Sequence, residues 1–455
     1  MSASGVNILS IDGGALMGVI PARILSYLDG SVATVTVPPD PGTNNSSISI
    51  KPATMSGGGS IPQLPGSYAL NQWFEVIGGT STGSLLAATL SVPTAAGQTN
   101  SANDALSFYI GNAGTIFPLV GTSTPLAETS MLTSFSTAFG NASLASIIAG
   151  LYGNPGWAYA LTRSPASGSS KVPGMEDFTP GPVNQGCSTV MHLSDAPNTL
   201  LITSFNVNFP PTPMPTPDYG ITVGAVINKQ AVTIGANTYP STPPGPQLLT
   251  NTTQVVNPSS ALENLSVLQA CLMSSAFPML LPPVPADLQF TQGGSDGGAI
   301  NYFVDGGIYA GSPALAVYFY CLDNNIPINS FISVGCGYTS ISTEPQYTSV
   351  ERAGALPFVG RPGWLNCNGD MLLMTMLKDG PGMGTDAFLS QALGSKFFRL
   401  NPPISGGNPP WSSAQEALVT WIEQTDTYMA NLCVSGATPS WQTMLGQLEQ
   451  ASPAS

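Results

Sequence analysis

The sequence predicts an α/β fold with a mostly parallel central sheet, helices on both faces, and loop- or β-rich insertions. Two observations carry this. Short runs that are apolar throughout alternate with longer runs of helical character, as in strands buried on both faces by crossover helices. Between them lie long Pro/Gly/Ser/Thr/Asn stretches that read as loops or irregular strands.

In chain order, Val6–Ser10 reads as a buried strand and Val19–Leu28 as a helix. Val35–Ser67 is the first insertion. Phe74–Ile77 reads as a strand and Gly83–Leu90 as the helix after it. Ser164–Gln185 and Phe209–Asn257 are two further insertions; the second is β-rich, with the runs Gly220–Ile227 and Ala231–Ile234. Both are candidates for a lid over a site. Phe331–Val334 reads as a late buried strand, and Ala414–Met429 as a helix in a C-terminal helical part, 336–455. No break in composition divides the 455 residues, so the expectation is one domain, 1–455, with core motifs over 6–335. The apolar segments Phe277–Leu281 and Leu144–Leu151 read as core, with an apolar groove or an interface as the competing reading.

Composition narrows the function classes. Charged residues are 7% of the chain, against the ~25% usual for globular domains. Ten basic and 24 acidic residues leave a net charge of −14, without the clustered Lys/Arg that nucleic acid requires. The same balance removes any general attraction to anionic lipid, so contact with a membrane or micelle would have to be apolar. No apolar run reaches the ~20 residues of a membrane span. No basic, apolar leader is visible, which leaves a cytoplasmic or non-classically secreted protein as the expectation. The six cysteines are scattered, without a C-x-x-C pair, and read as free thiols. Nothing points to a cofactor or metal.

Gly79-Thr-Ser-Thr-Gly83 is a G-x-S-x-G sequence between an apolar strand and an Ala/Leu helix. A serine on a sharp strand-to-helix turn exposes its Oγ beside the positive end of a helix, and the flanking glycines admit the turn. The competing reading is a plain βα turn with Ser81 as a helix cap. The sole histidine, His192, lies in the loop-like Thr189-Val-Met-His-Leu-Ser-Asp195. A Ser-His-acid arrangement in the usual chain order would need Asp104, Glu128, Glu176 or Asp177 as the acid. A lone histidine in such a segment is more often structural, so a carboxylate is the expected base for Ser81.

Ser10-Ile-Asp-Gly-Gly-Ala-Leu-Met-Gly18 and its helix resemble the D-G-G-G-x-[RK]-G anion-binding motif of the patatin-like phospholipases. Gly79–Gly83 is similar to that family's nucleophile motif. Ala270-Cys-Leu-Met-Ser-Ser-Ala-Phe-Pro-Met-Leu-Leu-Pro-Pro283 resembles the segment before its catalytic acid, and Val304-Asp-Gly-Gly307 its D-G-[AG] motif. The four motifs keep the family's order from Asp12 to Gly307.

The resemblance implies a three-layer fold and a lipid acyl hydrolase with a Ser81–Asp305 dyad. It also implies an oxyanion hole from the backbone N–H groups of Gly13, Gly14 and Ala15. Asp12, Gly18, Gly79, Gly83, Gly306 and Gly307 would support these motifs. Asp296-Gly-Gly298 repeats the acid motif without a strand before it, so Asp305 is preferred. Two positions depart from the pattern. Ala15 replaces a glycine, which is harmless if its φ stays negative. Met17 replaces the basic residue, which implies a lower rate or a different favoured ester, or leaves Arg23 or another group to substitute, or else a catalytically weak storage or interaction protein on the same fold.

Overall fold

The computed structural model describes residues 5–66, 69–93, 99–116, 193–207, 233–234, 237–238, 245–250, 267–277, 284–286, 301–338, 372–405, 410, 412–434, 436–437 and 439–450. The strands are β1 (Val6–Ile11), β2 (Val35–Val37), β3 (Ile48–Ile50), β4 (Val76–Gly79), β5 (Thr199–Asn206), β6 (Thr233–Ile234), β7 (Asn237–Thr238), β8 (Gly245–Thr250), β9 (Val284–Ala286), β10 (Asn301–Asp305), β11 (Ile328–Val334) and β12 (Phe397–Leu400). The helices are α1 (Val19–Leu28), α2 (Leu70–Trp73), α3 (Thr82–Ser91), α4 (Ala102–Ile116), α5 (Val267–Ser275), α6 (Gly307–Ala310), α7 (Ala314–Asp323), α8 (Leu372–Leu393), α9 (Gln415–Leu432) and α10 (Trp441–Gln450).

The main sheet runs β12-β11-β1-β4-β5-β10-β9, with β8 also on β5. Its β12-β11-β1-β4-β5 part is parallel, and β8, β9 and β10 are antiparallel additions. Side chains alternate across it. Ile8, Val76, Leu201 and Phe331 pack with Ala314, Val317 and Cys321 of α7 on one face. Leu9, Ile11, Ile77, Leu200, Ile202 and Ile332 pack with α1, α3 and α4 on the other. Strand residues one apart therefore serve different cores, which is why these strands read as unbroken apolar runs.

One register detail positions the site. β4 runs alongside β5 from Thr199 to Ile202, and on the same edge β10 runs the opposite way, ending with Asp305 against Ser204. The C-terminal ends of β4 and β10 therefore meet head to head across Thr203.

The predicted strand at Phe74–Ile77 lies two residues later, because Phe74 N–H closes α2 by bonding the Leu70 carbonyl (3.2 Å). The 35–67 insertion carries the β2–β3 pair. Of 209–257, β6, β7 and β8 are described, and β8 extends the main sheet. The 164–185 insertion and Leu144–Leu151 lie outside the described residues. The C-terminal part is not only helical: β12 joins β11 in parallel register, with Arg399 opposite Ser333. α9 packs on α1 through a fully buried Arg23, whose Nε and Nη2 donate to Asp426 Oδ1 (2.7 Å) and Oδ2 (2.9 Å). No described helix is long and apolar enough to cross a membrane.

Candidate active site

Ser81 follows β4 and opens α3 at φ 53°, ψ −122°, a conformation rare for a residue with a side chain. Two glycines permit it by close approach. A Cβ on Gly79 would stand 2.2 Å from the Gly83 carbonyl oxygen, and one on Gly83 would stand 2.1 Å from that of Ile11. Hydrogen bonds then fix the turn. Ser81 N–H donates to Ser274 Oγ on α5 (2.8 Å), and Ser84 Oγ donates to the Ser81 carbonyl (2.6 Å). Thr80 Oγ1 donates to the Ala310 carbonyl (2.6 Å), so Thr203 Oγ1, also at 2.6 Å, donates to Thr80. The strained serine is thus held from three sides.

Asp305 ends β10 and is fully buried. Its Oδ1 accepts the Gly307 N–H (2.6 Å), while Oδ2 has no hydrogen-bond partner among the described residues. Burial pushes its carboxyl up to about 7, against the smaller lowering effects of the Gly307 N–H and the Ser81 hydroxyl. That hydroxyl favours the carboxylate, yet no hydrogen bond closes on Oδ2 among the described residues. Gly306 is required beside it, since a Cβ there would come within 2.3 Å of Thr203 Oγ1.

The Asp12–Gly18 loop lies against the serine: a Cβ on Gly13 would be 3.1 Å from Ser81 Cβ. Gly18 is just as tight, with 2.1 Å from its would-be Cβ to Thr82 Oγ1. The Gly14 and Ala15 N–H groups have no acceptor among the described residues. Gly13 differs from expectation, because its N–H is already bonded to the Gly311 carbonyl (2.8 Å). Ala15 differs too: its φ is +51°, not negative. Ala15 opens the 3₁₀ turn Ala15–Gly18 in a left-handed conformation that residues with a side chain adopt at a cost. Ala15→Gly should therefore leave the urea unfolding midpoint near wild type. Ala15→Val, a β-branched residue forced to positive φ, should lose about 1–3 kcal/mol of stability.

Asp12 faces a cation that sequence reasoning did not single out. Arg399 on β12 donates from Nη2 to Asp12 Oδ2 (2.5 Å) and from Nη1 to Ser333 Oγ (2.9 Å), and its Nε lies 2.9 Å from Asp386 Oδ2. Burial pushes the Asp386 carboxyl up to about 6; Arg399 lowers it and Asp12 adds to the rise. Ser274 was also missed, though it lies within Ala270–Pro283. Met17 is buried in the apolar core. Arg23 does not substitute for it, because its donors are engaged by Asp426 and the Ala33 carbonyl (2.8 Å).

Asp104 accepts hydrogen bonds from Ser101 N–H (3.0 Å) and Oγ (2.7 Å) at the start of α4, a capping role. His192, Glu128, Glu176, Asp177 and Asp296 lie outside the described residues. Cys271, Cys321, Cys336 and Cys433 are not joined in disulfides. Among the described residues, no group of three or more His, Cys, Asp or Glu is placed to hold a metal.

Comparison with known proteins agrees with the motifs. The family model described as patatin-like phospholipase matches residues 9–318 of the 455. Patatin-T5 of Solanum tuberosum is 34% identical over 120 residues, 26% of this chain and 23% of that protein. Patatin-2-Kuras 1 of the same plant is 34% identical over 118 residues, 26% of this chain and 24% of its own. Probable inactive patatin-3-Kuras 1, also from that plant, is 33% identical over 113 residues, 25% of this chain and 23% of its own. The matches thus span about a quarter of these relatives' length. The crystal structure of VipD from Legionella pneumophila is 11% identical, with a TM-score of 0.32 over 93% of this chain and 67% of that one. On the match over residues 9–318, the chain belongs to the patatin-like phospholipase family.

Proposed function

We propose that the protein hydrolyses lipid acyl esters with Ser81 as nucleophile and Asp305 as its acid–base partner. The observation that carries this is the Asp305 carboxyl: fully buried, raised to about 7, and left with a free Oδ2 in the neighbourhood of the Ser81 hydroxyl. A carboxylate of that proton affinity can accept the serine proton near neutral pH, which an ordinary aspartate does poorly.

Ser81 Oγ attacks the ester carbonyl carbon and its proton passes to Asp305. The oxyanion forms against the N–H groups of Gly14 and Ala15, at the head of the 3₁₀ turn and α1. Gly13 contributes the close packing and not a donor, because its N–H serves Gly311. Collapse of the tetrahedral species expels the alcohol, which takes the proton from Asp305. Water then attacks the acyl-serine by the same route and releases the carboxylic acid. Lipid esters are favoured by the family, and the low charge of the chain suits substrate presented at an apolar interface.

The test is hydrolysis of a p-nitrophenyl ester series, followed by phospholipid and acylglycerol substrates. Ser81→Ala is expected to lose at least ~10³-fold in kcat, and His192→Ala to stay within about twofold of wild type. Inactivation by His192→Ala would replace this reading with a Ser-His-acid esterase. An inactive wild type on every ester and lipid would point instead to a storage or interaction protein on the patatin fold.

A further inference from the structure

We propose that Arg399 is a positioning residue for the oxyanion loop, acting through Asp12 and supplied by a strand outside the family-matched segment. This rests on the hydrolase reading above.

Asp12 opens the loop that carries the Gly14 and Ala15 amides, whose neighbour Gly13 packs on Ser81, so a bare carboxylate there would place a negative charge near an oxyanion developing at that loop. Arg399 neutralises it at 2.5 Å. The same guanidinium is anchored on β11 through Ser333 Oγ (2.9 Å) and on α8 through Asp386 (2.9 Å). Burial disfavours its charge, but Asp12 and then Asp386 outweigh that and raise its pKa, so it stays a cation. The fit is close: a Cβ on Gly335 would be 2.9 Å from Arg399 Nη2, and one on Gly14 would be 2.5 Å from Cys336 Cβ. The end of β11, the guanidinium and the loop thus form one packed unit.

No other described cation reaches the loop. Position 17 is an apolar methionine, Arg23 is bound to Asp426, and Lys396 donates to the Ile328 carbonyl (2.7 Å) on an exposed edge. β12 reaches the loop only because its parallel register on β11 sets Arg399 opposite Ser333. The matched family segment stops at residue 318, so the cation comes from the part of the chain beyond it.

The experiment measures kcat and KM on a p-nitrophenyl ester for Arg399→Lys, Arg399→Gln, Asp12→Asn and the double variant Asp12→Asn/Arg399→Gln. Ser81→Ala is the control, and circular dichroism checks that each variant is folded at the assay temperature. Because the loop acts on the oxyanion and not on the bound ester, the loss should fall on kcat, with KM within about twofold. Arg399→Gln and Asp12→Asn should each lose roughly 10–100-fold. The double variant should be no worse than the poorer single one, since both act through one contact. Arg399→Lys, which keeps the charge but not the fork, should fold and lose about 10-fold.

Wild-type kcat in folded Arg399→Lys and Arg399→Gln overturns the proposal and leaves Arg399 a purely structural ion. Additive losses in the double variant overturn the route through Asp12. Retained activity in Ser81→Ala would instead remove the hydrolase reading, which the Arg399 variants by themselves cannot do.

Discussion

Asp305→Asn is expected to abolish ester hydrolysis and, above neutral pH, to stabilise the protein. The two effects share a cause. Asp305 titrates near 3.8 when solvated and at about 7 in the fold, mainly because burial penalises its charge. Between those values the folded chain binds more protons than the unfolded one, so this group's contribution to stability is complete at acid pH. That contribution falls as pH rises toward about 7.

Asparagine carries no such charge, and its amide oxygen keeps an acceptor for the Gly307 N–H. The variant should match wild type near pH 4 and exceed it above pH ~8 by up to about 4 kcal/mol, the scale of a three-unit shift. Its kcat should fall at least ~10³-fold. Wild-type kcat/KM should climb with pH through about 7 as the base ionises. Thermal unfolding of both proteins at pH 4.5 and 8.5 reads the stability effect. Destabilisation at both pH values would mean that Asp305 serves to hold the Gly307 turn and not to store proton affinity.

The second large effect lies far from the site. Asp426→Ala would leave the Arg23 guanidinium, fully buried, without its two charge-assisted hydrogen bonds, and the Tyr27 hydroxyl without its acceptor at 2.9 Å. Breaking one side of a buried pair typically costs about 3–5 kcal/mol, a large share of the 5–15 kcal/mol that holds a domain together. Replacing both partners, Arg23→Met with Asp426→Leu, should recover most of that loss, since a matched apolar pair incurs no desolvation penalty. Urea unfolding of the three variants measures it. A loss under about 1 kcal/mol in Asp426→Ala would mean that water reaches the cation and the α1–α9 contact rests on its apolar neighbours.

The sequence made the local features legible and hid the distant ones, for physical reasons. Gly79 and Gly83 could be read because a close backbone approach leaves a mark at fixed spacing, and Ser81 follows from them. Asp305 was legible only through the order of the four motifs, since Asp-Gly by itself is a common turn former. Arg399 could not: its partner Asp12 is 387 residues away, and nothing in Lys396-Phe-Phe-Arg399 signals a contact across the sheet. Arg23 and Asp426 hid in the same way. The bond from the Gly13 N–H to Gly311 and the sign of φ at Ala15 are features that no motif records. β12 was overlooked because four residues between helices carry little periodicity.

Thr203 sets a spacing within the site. Its hydroxyl touches Thr80, one residue before the serine, and its atoms are what a side chain at Gly306, one residue after the aspartate, would strike. One β5 residue therefore acts as a gauge block between two chain segments more than two hundred positions apart. The connections leaving β4 and entering β10 can lengthen or shorten without altering that gap, since loop length affects closure entropy only logarithmically. Selection for new substrates is then free to rewrite those excursions. A single-residue slip of β5, by contrast, would move the gauge itself and turn every neighbouring side chain to the opposite face.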